Sequence, residues 1–188
     1  MNGDKTDNEL MGEFKGCSVA AYNEIVSRYK IRLFNHVLRG YLPDRDESAE
    51  VIQKTLIRVF ENKFTYQPKY QFSTWVYTIA RNLAINEVKR KRFESLDGSQ
   101  RDDNASSDPT AYQRTEELNR DQILSSALRN LDPAYREVLT MRYIEELSFG
   151  EISTITKKNI NTLKSLARRG LEQMREALKE SGIEEESL

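Results

Sequence analysis

The sequence predicts an all-α protein made of two small helical domains joined by a flexible polar linker. Three observations carry this. Apolar residues recur at three- and four-residue steps along most of the chain, the spacing of amphipathic helices. Strand-type alternation appears over no convincing length. One stretch, residues 95–110 (SLDGSQRDDNASSDPT), is rich in Ser, Asp and Asn, carries Gly98 and Pro109, and has almost no apolar side chain, the composition of a linker. With 188 residues, 38% hydrophobic and 31% charged, the chain suits two small bundles better than one large core. The boundaries that follow are a first domain over 8–94, a linker over 95–112 and a second domain over 113–180.

The periodicity places helices near 8–15, 18–39, 46–62, 72–92, 113–130, 133–145, 148–156 and 160–179. Several have explicit starts. Asp132 followed by Pro133 gives an N-cap and a proline at the first helical position. Ser148 and Glu151 form an S-x-x-E capping box. Ser73 precedes the run Trp75, Val76, Ile79, Ala80, Leu83. Over 46–62 the expected apolar side is Ala49, Ile52, Leu56, Val59 and Phe60. Over 160–179 it is Ile160, Leu163, Ala167, Leu171, Met174 and Leu178.

The net charge of −1 conceals an uneven distribution. Residues 10–95 hold 15 basic and 9 acidic side chains, whereas 96–112 hold one basic and four acidic. Local fields, not the overall balance, therefore decide any affinity for nucleic acid. Cys17 and His36 are the only residues of their kinds, which excludes a disulfide within one chain and argues against His/Cys metal clusters. Cys17 is expected as a small, half-buried hydrophobe and His36 as a packed side chain. The sequence shows no P-loop, Gly-rich dinucleotide turn or nucleophile–base pair, so neither an enzyme nor a cofactor is expected. There is no signal-like apolar run and no bilayer-length segment, so the expectation is a cytoplasmic chain without membrane insertion.

The most specific local feature is 148–178, which reads as a helix-turn-helix. Ile152 and Ile155 give the short first helix an apolar side, and Lys157, Lys158 and Asn159 break the pattern. In the second helix Asn161, Lys164, Ser165 and Arg168 fall opposite the apolar stripe. From Lys157 to Leu171 there are five basic residues and no acidic one. Basic, amide and hydroxyl groups on one helix face suit reading of the DNA major groove, although a packed surface helix also has charged and apolar sides.

The first domain offers two further surfaces. One is the polar face of helix 46–62, with Glu47, Glu50, Gln53, Lys54 and Arg58. The other is an aromatic and amide cluster, Phe64, Tyr66, Tyr70, Phe72, Trp75, Tyr77, Asn82 and Asn86, leading into Lys89-Arg90-Lys91-Arg92. Pro68 keeps 66–70 out of a helix. Loop aromatics beside amides and cations can stack on unpaired bases.

These residues in this order resemble the extracytoplasmic-function group of sigma-70 family RNA polymerase sigma factors, from about Asn8 to Leu178. ESAEVIQKTLIRVF resembles the family's region 2.2, and FSTWVYTIARNLAINEVKRKR its regions 2.3 and 2.4. LDPAYREVLTMRYIEELSFGEISTIT resembles region 4.1 running into 4.2, and NINTLKSLARRGLEQMREAL the recognition helix of region 4.2. The polar linker, too short for another core, resembles that of the two-domain group.

The resemblance implies a region 2 helical bundle and a region 4 helix-turn-helix. It implies core RNA polymerase and promoter DNA as partners, with an anti-sigma factor as a further one. Glu50, Gln53, Lys54 and Arg58 would meet polymerase. Tyr66, Tyr70, Asn82, Asn86, Lys89, Arg90, Lys91 and Arg92 would meet the −10 element. Asn159, Asn161, Thr162, Lys164, Ser165, Arg168 and Arg169 would meet the −35 element. The chain departs from the family's pattern at Lys54, where Glu is frequent, at Lys157, where the turn usually has Gly, and at Leu166, where a basic residue is common. A left-handed backbone at Lys157 would cost roughly 1 kcal/mol.

Overall fold

The structure, a computed structural model, describes residues 5–96 and 116–180, and every regular element among them is helical. Helix α1 (Asp7–Lys15) opens with a reciprocal capping box between Thr6 and Glu9 and buries Leu10, Met11 and Phe14. A tight turn follows, in which Cys17 has φ 69. That turn points the Cys17 side chain outward, so the thiol is exposed rather than half-buried.

Helix α2 (Val19–Gly40) is capped by Ser18 and buries Ala21, Ile25, Tyr29, Leu33 and Val37 at four-residue steps. Helix α3 (Arg45–Glu61) starts at Asp44, whose side chain accepts from the Glu47 amide. Its buried stripe is Ser48, Val51, Ile52, Thr55 and Val59. Ala49 and Phe60, expected inside, are exposed. The stripe is rotated because Ser48 and Thr55 can enter the core: their hydroxyls donate to Leu42 O and Val51 O at 2.9 and 2.8 Å, which satisfies them there.

A 3₁₀ turn (Lys63–Thr65) and a loop lead to α4 (Phe72–Leu96), which starts one residue ahead of Ser73. It packs on α3 and α2 through Phe72, Val76, Tyr77, Ala80 and Ala84. Because α4 runs to Leu96, the first two residues of the expected linker are helical. The rest of that linker, like positions 113–115 of the expected next helix, lies outside the described residues.

The second half comprises α5 (Glu116–Arg129), α6 (Pro133–Leu139), a π-helical turn (Thr140–Ile144), α7 (Phe149–Thr156) and α8 (Ile160–Glu180). Asp132 accepts from the Ala134 amide at 2.8 Å with Pro133 at the helix start, as the sequence predicts. On α8, Leu163, Ala167 and Leu178 are buried and Met174 is half-buried, while Ile160 and Leu171 are exposed. Gly170 takes the inward position instead. A Cβ there would meet Tyr135 Cβ at 3.0 Å and Leu139 Cδ1 at 3.1 Å, so α6 and α8 approach more closely than a side chain would allow.

The two halves dock on each other. Helix α4 packs on α7, and α2 packs on α6 and the π turn. One apolar cluster is continuous through both halves, so the two predicted domains share a buried seam. Among the described residues no helix is long and apolar enough to cross a membrane.

Candidate nucleic-acid and protein-binding surfaces

The helix-turn-helix is built by local hydrogen bonding. Ser148 and Glu151 close their capping box, and Ile152 and Ile155 fasten α7 to the core. Helix α7 ends at Lys157 in the left-handed conformation (φ 61, ψ 17), the backbone for which glycine is usual. Ser153 Oγ then donates to Lys158 O at 2.7 Å, bracing the turn. Asn159 Oδ1 accepts from the Thr162 amide at 2.8 Å, which makes Asn159 the N-cap of α8.

That geometry sorts the residues expected at the −35 element. Asn161, Thr162, Lys164, Ser165 and Arg169 are exposed, and Asn161, Thr162, Ser165 and Arg169 line one shallow concavity with Ser153. Lys164 and Arg169 have no ion-pair partner among the described residues. Arg168 is exposed but pairs with Glu172 one turn on, at 2.6 Å. Asn159 is exposed with its carbonyl oxygen committed to the cap.

The −10 candidates divide more sharply. Tyr66 is only 2% exposed. Its hydroxyl bonds to the Asn8 side chain and to Tyr70 O at 2.8 Å. Its ring packs against Phe72 and Trp75, and Lys15 donates to its carbonyl at 2.7 Å. Tyr66 therefore anchors the loop to α1 and α4, and in this conformation its ring offers no face for a base. Tyr70, Asn82 and Asn86 are exposed. In the basic run, Arg90 is gripped by Glu87 and by Glu94, the latter at 2.5 Å. Lys91 pairs with Glu47 of α3. Lys89 and Arg92 are exposed and carry no ion pair among the described residues.

On α3, Glu50, Gln53, Lys54 and Arg58 are all exposed. Lys54 pairs with Glu50 at 2.8 Å, so the reversed charge at position 54 is internally compensated. The sequence reading passed over Ile57, 49% exposed, and assigned Phe60, 52% exposed, to the buried side; Phe64, at 71%, lies just beyond the helix. Ile57 lies four residues after Gln53, one turn along the polar face, which is the signal that locates it. Contiguous exposed apolar groups rimmed by charge mark a protein-binding surface.

Comparison with known proteins follows the same division of the chain. The sigma-70 region 2 family matches residues 25–94, and the sigma-70 region 4 family matches 121–174. The ECF RNA polymerase sigma factor SigW of Bacillus subtilis is 29% identical over 169 residues, covering 85% of this chain and 90% of SigW. Two solved structures share the fold. One is the sigma factor RpoE of Bartonella quintana in complex with the anti-sigma factor NepR (TM-score 0.71, 18% identity, 86% of this chain and 98% of that one). The other is CnrH in complex with the cytosolic domain of CnrY (TM-score 0.69, 18% identity, 93% and 98%).

Proposed function

The chain belongs to the extracytoplasmic-function group of the sigma-70 family, factors of transcription initiation with RNA polymerase, and we propose that it directs core polymerase to promoters with a −35 and a −10 element. The observation that carries this reading is the exposed amide, hydroxyl and cationic face of α8, on a capped helix-turn-helix in the same chain as a region 2 domain.

In this reading α8 enters the major groove of the −35 element. Asn161, Lys164, Ser165 and Arg169 face base edges and phosphates, and Asn159 fixes the start of the helix by capping it. The exposed strip of α3 docks on core polymerase, with Glu50, Gln53, Lys54 and Arg58 around the apolar pair Ile57 and Phe60. Tyr70, Asn82 and Asn86 meet the opened −10 strand, while Lys89 and Arg92 hold its backbone. Unstacking a base costs a few kcal/mol and stacking on an aromatic returns about 1–3 kcal/mol. Phosphate contacts therefore tip the balance toward the opened strand. RpoE and CnrH were each solved with a protein partner, which supports an anti-sigma factor as a partner here too.

Pull-down with purified core polymerase tests the docking half. The wild-type chain is expected to be retained, and Ile57→Ser with Phe60→Ser to lower retention at least tenfold. Absence of wild-type retention would overturn the reading.

A further inference from the structure

We propose that Phe93, near the end of α4, is a stacking platform for an unpaired base of single-stranded DNA, and that it extends the strand-binding row of this helix one turn beyond Lys89. This rests on the reading of α4 as the helix that meets the opened −10 strand.

Phe93 is 70% exposed and takes no part in the apolar cluster of the core. A single exposed apolar side chain is ordinary on a protein surface. What sets Phe93 apart is the row it completes. Side chains three and four residues apart share a helix face, and Asn82, Asn86, Lys89 and Phe93 follow that spacing. At about 100° per residue the four fall within about 60° of one another. Asn82, Asn86 and Lys89 are exposed like Phe93. The row thus runs amide, amide, cation, ring, and it holds no carboxylate.

The charges beside the row are sorted by side. Glu87 and Glu94 lie about a third of a turn from Phe93 on the helix, and Arg90 holds both. Arg92 borders the row on the opposite side, exposed and without an ion pair among the described residues. The ring is therefore approached across Lys89 and Arg92, two cations available to phosphate, with the acids turned away.

This order of groups suits a single strand. Cations that track a backbone, beside an aromatic on which a base stacks, form the general arrangement for single-strand binding, and it tolerates any sequence because every base has a π-face. In a duplex the base faces are stacked on one another and only edges are offered. A protein partner would call for a contiguous apolar patch, whereas the residues on either side of Phe93, Arg92 and Glu94, are charged. From Asn86 to Phe93 the helix rises about 10 Å, the length of about three nucleotides of a stacked strand. Phe93 therefore takes a different base from the one met by the amides.

The row is exposed in the free chain, so the full-length chain alone serves for the test, by fluorescence anisotropy on a short labelled single strand of mixed sequence and on its duplex. The wild-type chain is expected to bind the single strand. Phe93→Ala should weaken that binding about tenfold, about 1.4 kcal/mol, which is within the range for one stacked base. Phe93→Tyr should keep it, and Phe93→Leu, apolar but without a ring, should lose as much as Phe93→Ala. A neutral ring releases no counterion, so Phe93→Ala should leave the salt slope unchanged, whereas Lys89→Ala should lower it by about 0.7. On the duplex the Phe93 variants should match wild type. Wild-type affinity of Phe93→Ala for the single strand would overturn the platform while leaving the strand-binding role of Lys89 intact. Full binding by Phe93→Leu would overturn it too, marking an apolar wedge or a methyl contact instead. A wild-type chain that binds no single strand would overturn the platform together with the opened-strand reading of α4, and core pull-down reports polymerase docking separately.

Discussion

The basic surfaces of α4 and α8 look alike in sequence but differ in how far their charge is already committed. On α8, Lys164 and Arg169 are exposed with no ion pair among the described residues, whereas Arg168 pairs with Glu172. On α4, Arg90 is held by two glutamates and Lys91 by Glu47 of the neighbouring helix. A run of four basic residues therefore presents two available cations, whereas a scattered set on α8 presents as many from fewer consecutive positions. What a phosphate meets is the uncommitted charge, and a count of Lys and Arg overstates it for α4.

The largest expected effect falls on the seam between these regions. Burial lowers the His36 pKa from 6.5 to about 4, with Arg81 pushing the same way and Glu137 opposing. The folded chain thus binds fewer protons than the unfolded one between pH 6.5 and about 4. The stability this represents is complete above pH 6.5 and is lost as pH falls through that window, by roughly 3 kcal/mol. Burial raises the pKa of Glu145, so its protonation works in the opposite direction. The difference between wild type and His36→Phe in denaturant melts across pH isolates the histidine. A pH-independent difference would contradict the assignment.

Salt dependence of DNA binding sharpens the comparison next. Each released phosphate contact contributes a slope of about 0.9. Lys164→Ala with Arg169→Ala should lower the slope by about two units. Arg90→Ala with Lys91→Ala should lower it by less than one, because those cations are already paired. Equal losses, read by fluorescence anisotropy on duplex DNA, would show that the α4 pairs exchange freely for phosphate.

The smallest effects separate framework from reading face on α8. Asn159→Ala removes the cap bond to Thr162 and should cost about 1 kcal/mol of stability, while base preference in a competition assay stays unchanged. Asn161→Ala should do the reverse. If Asn159→Ala alters preference instead, the cap residue also reads a base.

Helices, caps and the helix-turn-helix are legible in the sequence because their determinants are local: Asp132-Pro133, Ser148 with Glu151, and the spacing of Ile152 and Ile155. The Arg90 pairs are legible too, since Glu87 and Glu94 lie one helical turn to either side. Other features depend on residues brought together only by packing. Tyr66 reads as a free loop aromatic until Asn8, 58 positions earlier, bonds to its hydroxyl. Lys91 reads as free until α3 brings Glu47 beside it. The rotated stripes of α3 and α8 escaped because buried hydroxyls and Gly170 do work that a hydrophobicity pattern assigns to large apolar residues. The docking of the halves escaped because Arg81 and Glu137 are 56 positions apart.

Run-off transcription with core polymerase and fragmented genomic DNA from the source cell tests the central claim most directly. The account predicts transcripts starting downstream of a shared pair of sequence elements, present with the wild-type chain and lost with Lys164→Ala and Arg169→Ala combined. Core polymerase that gains no new start sites on adding the chain, under conditions where a known sigma factor does supply them, would contradict it.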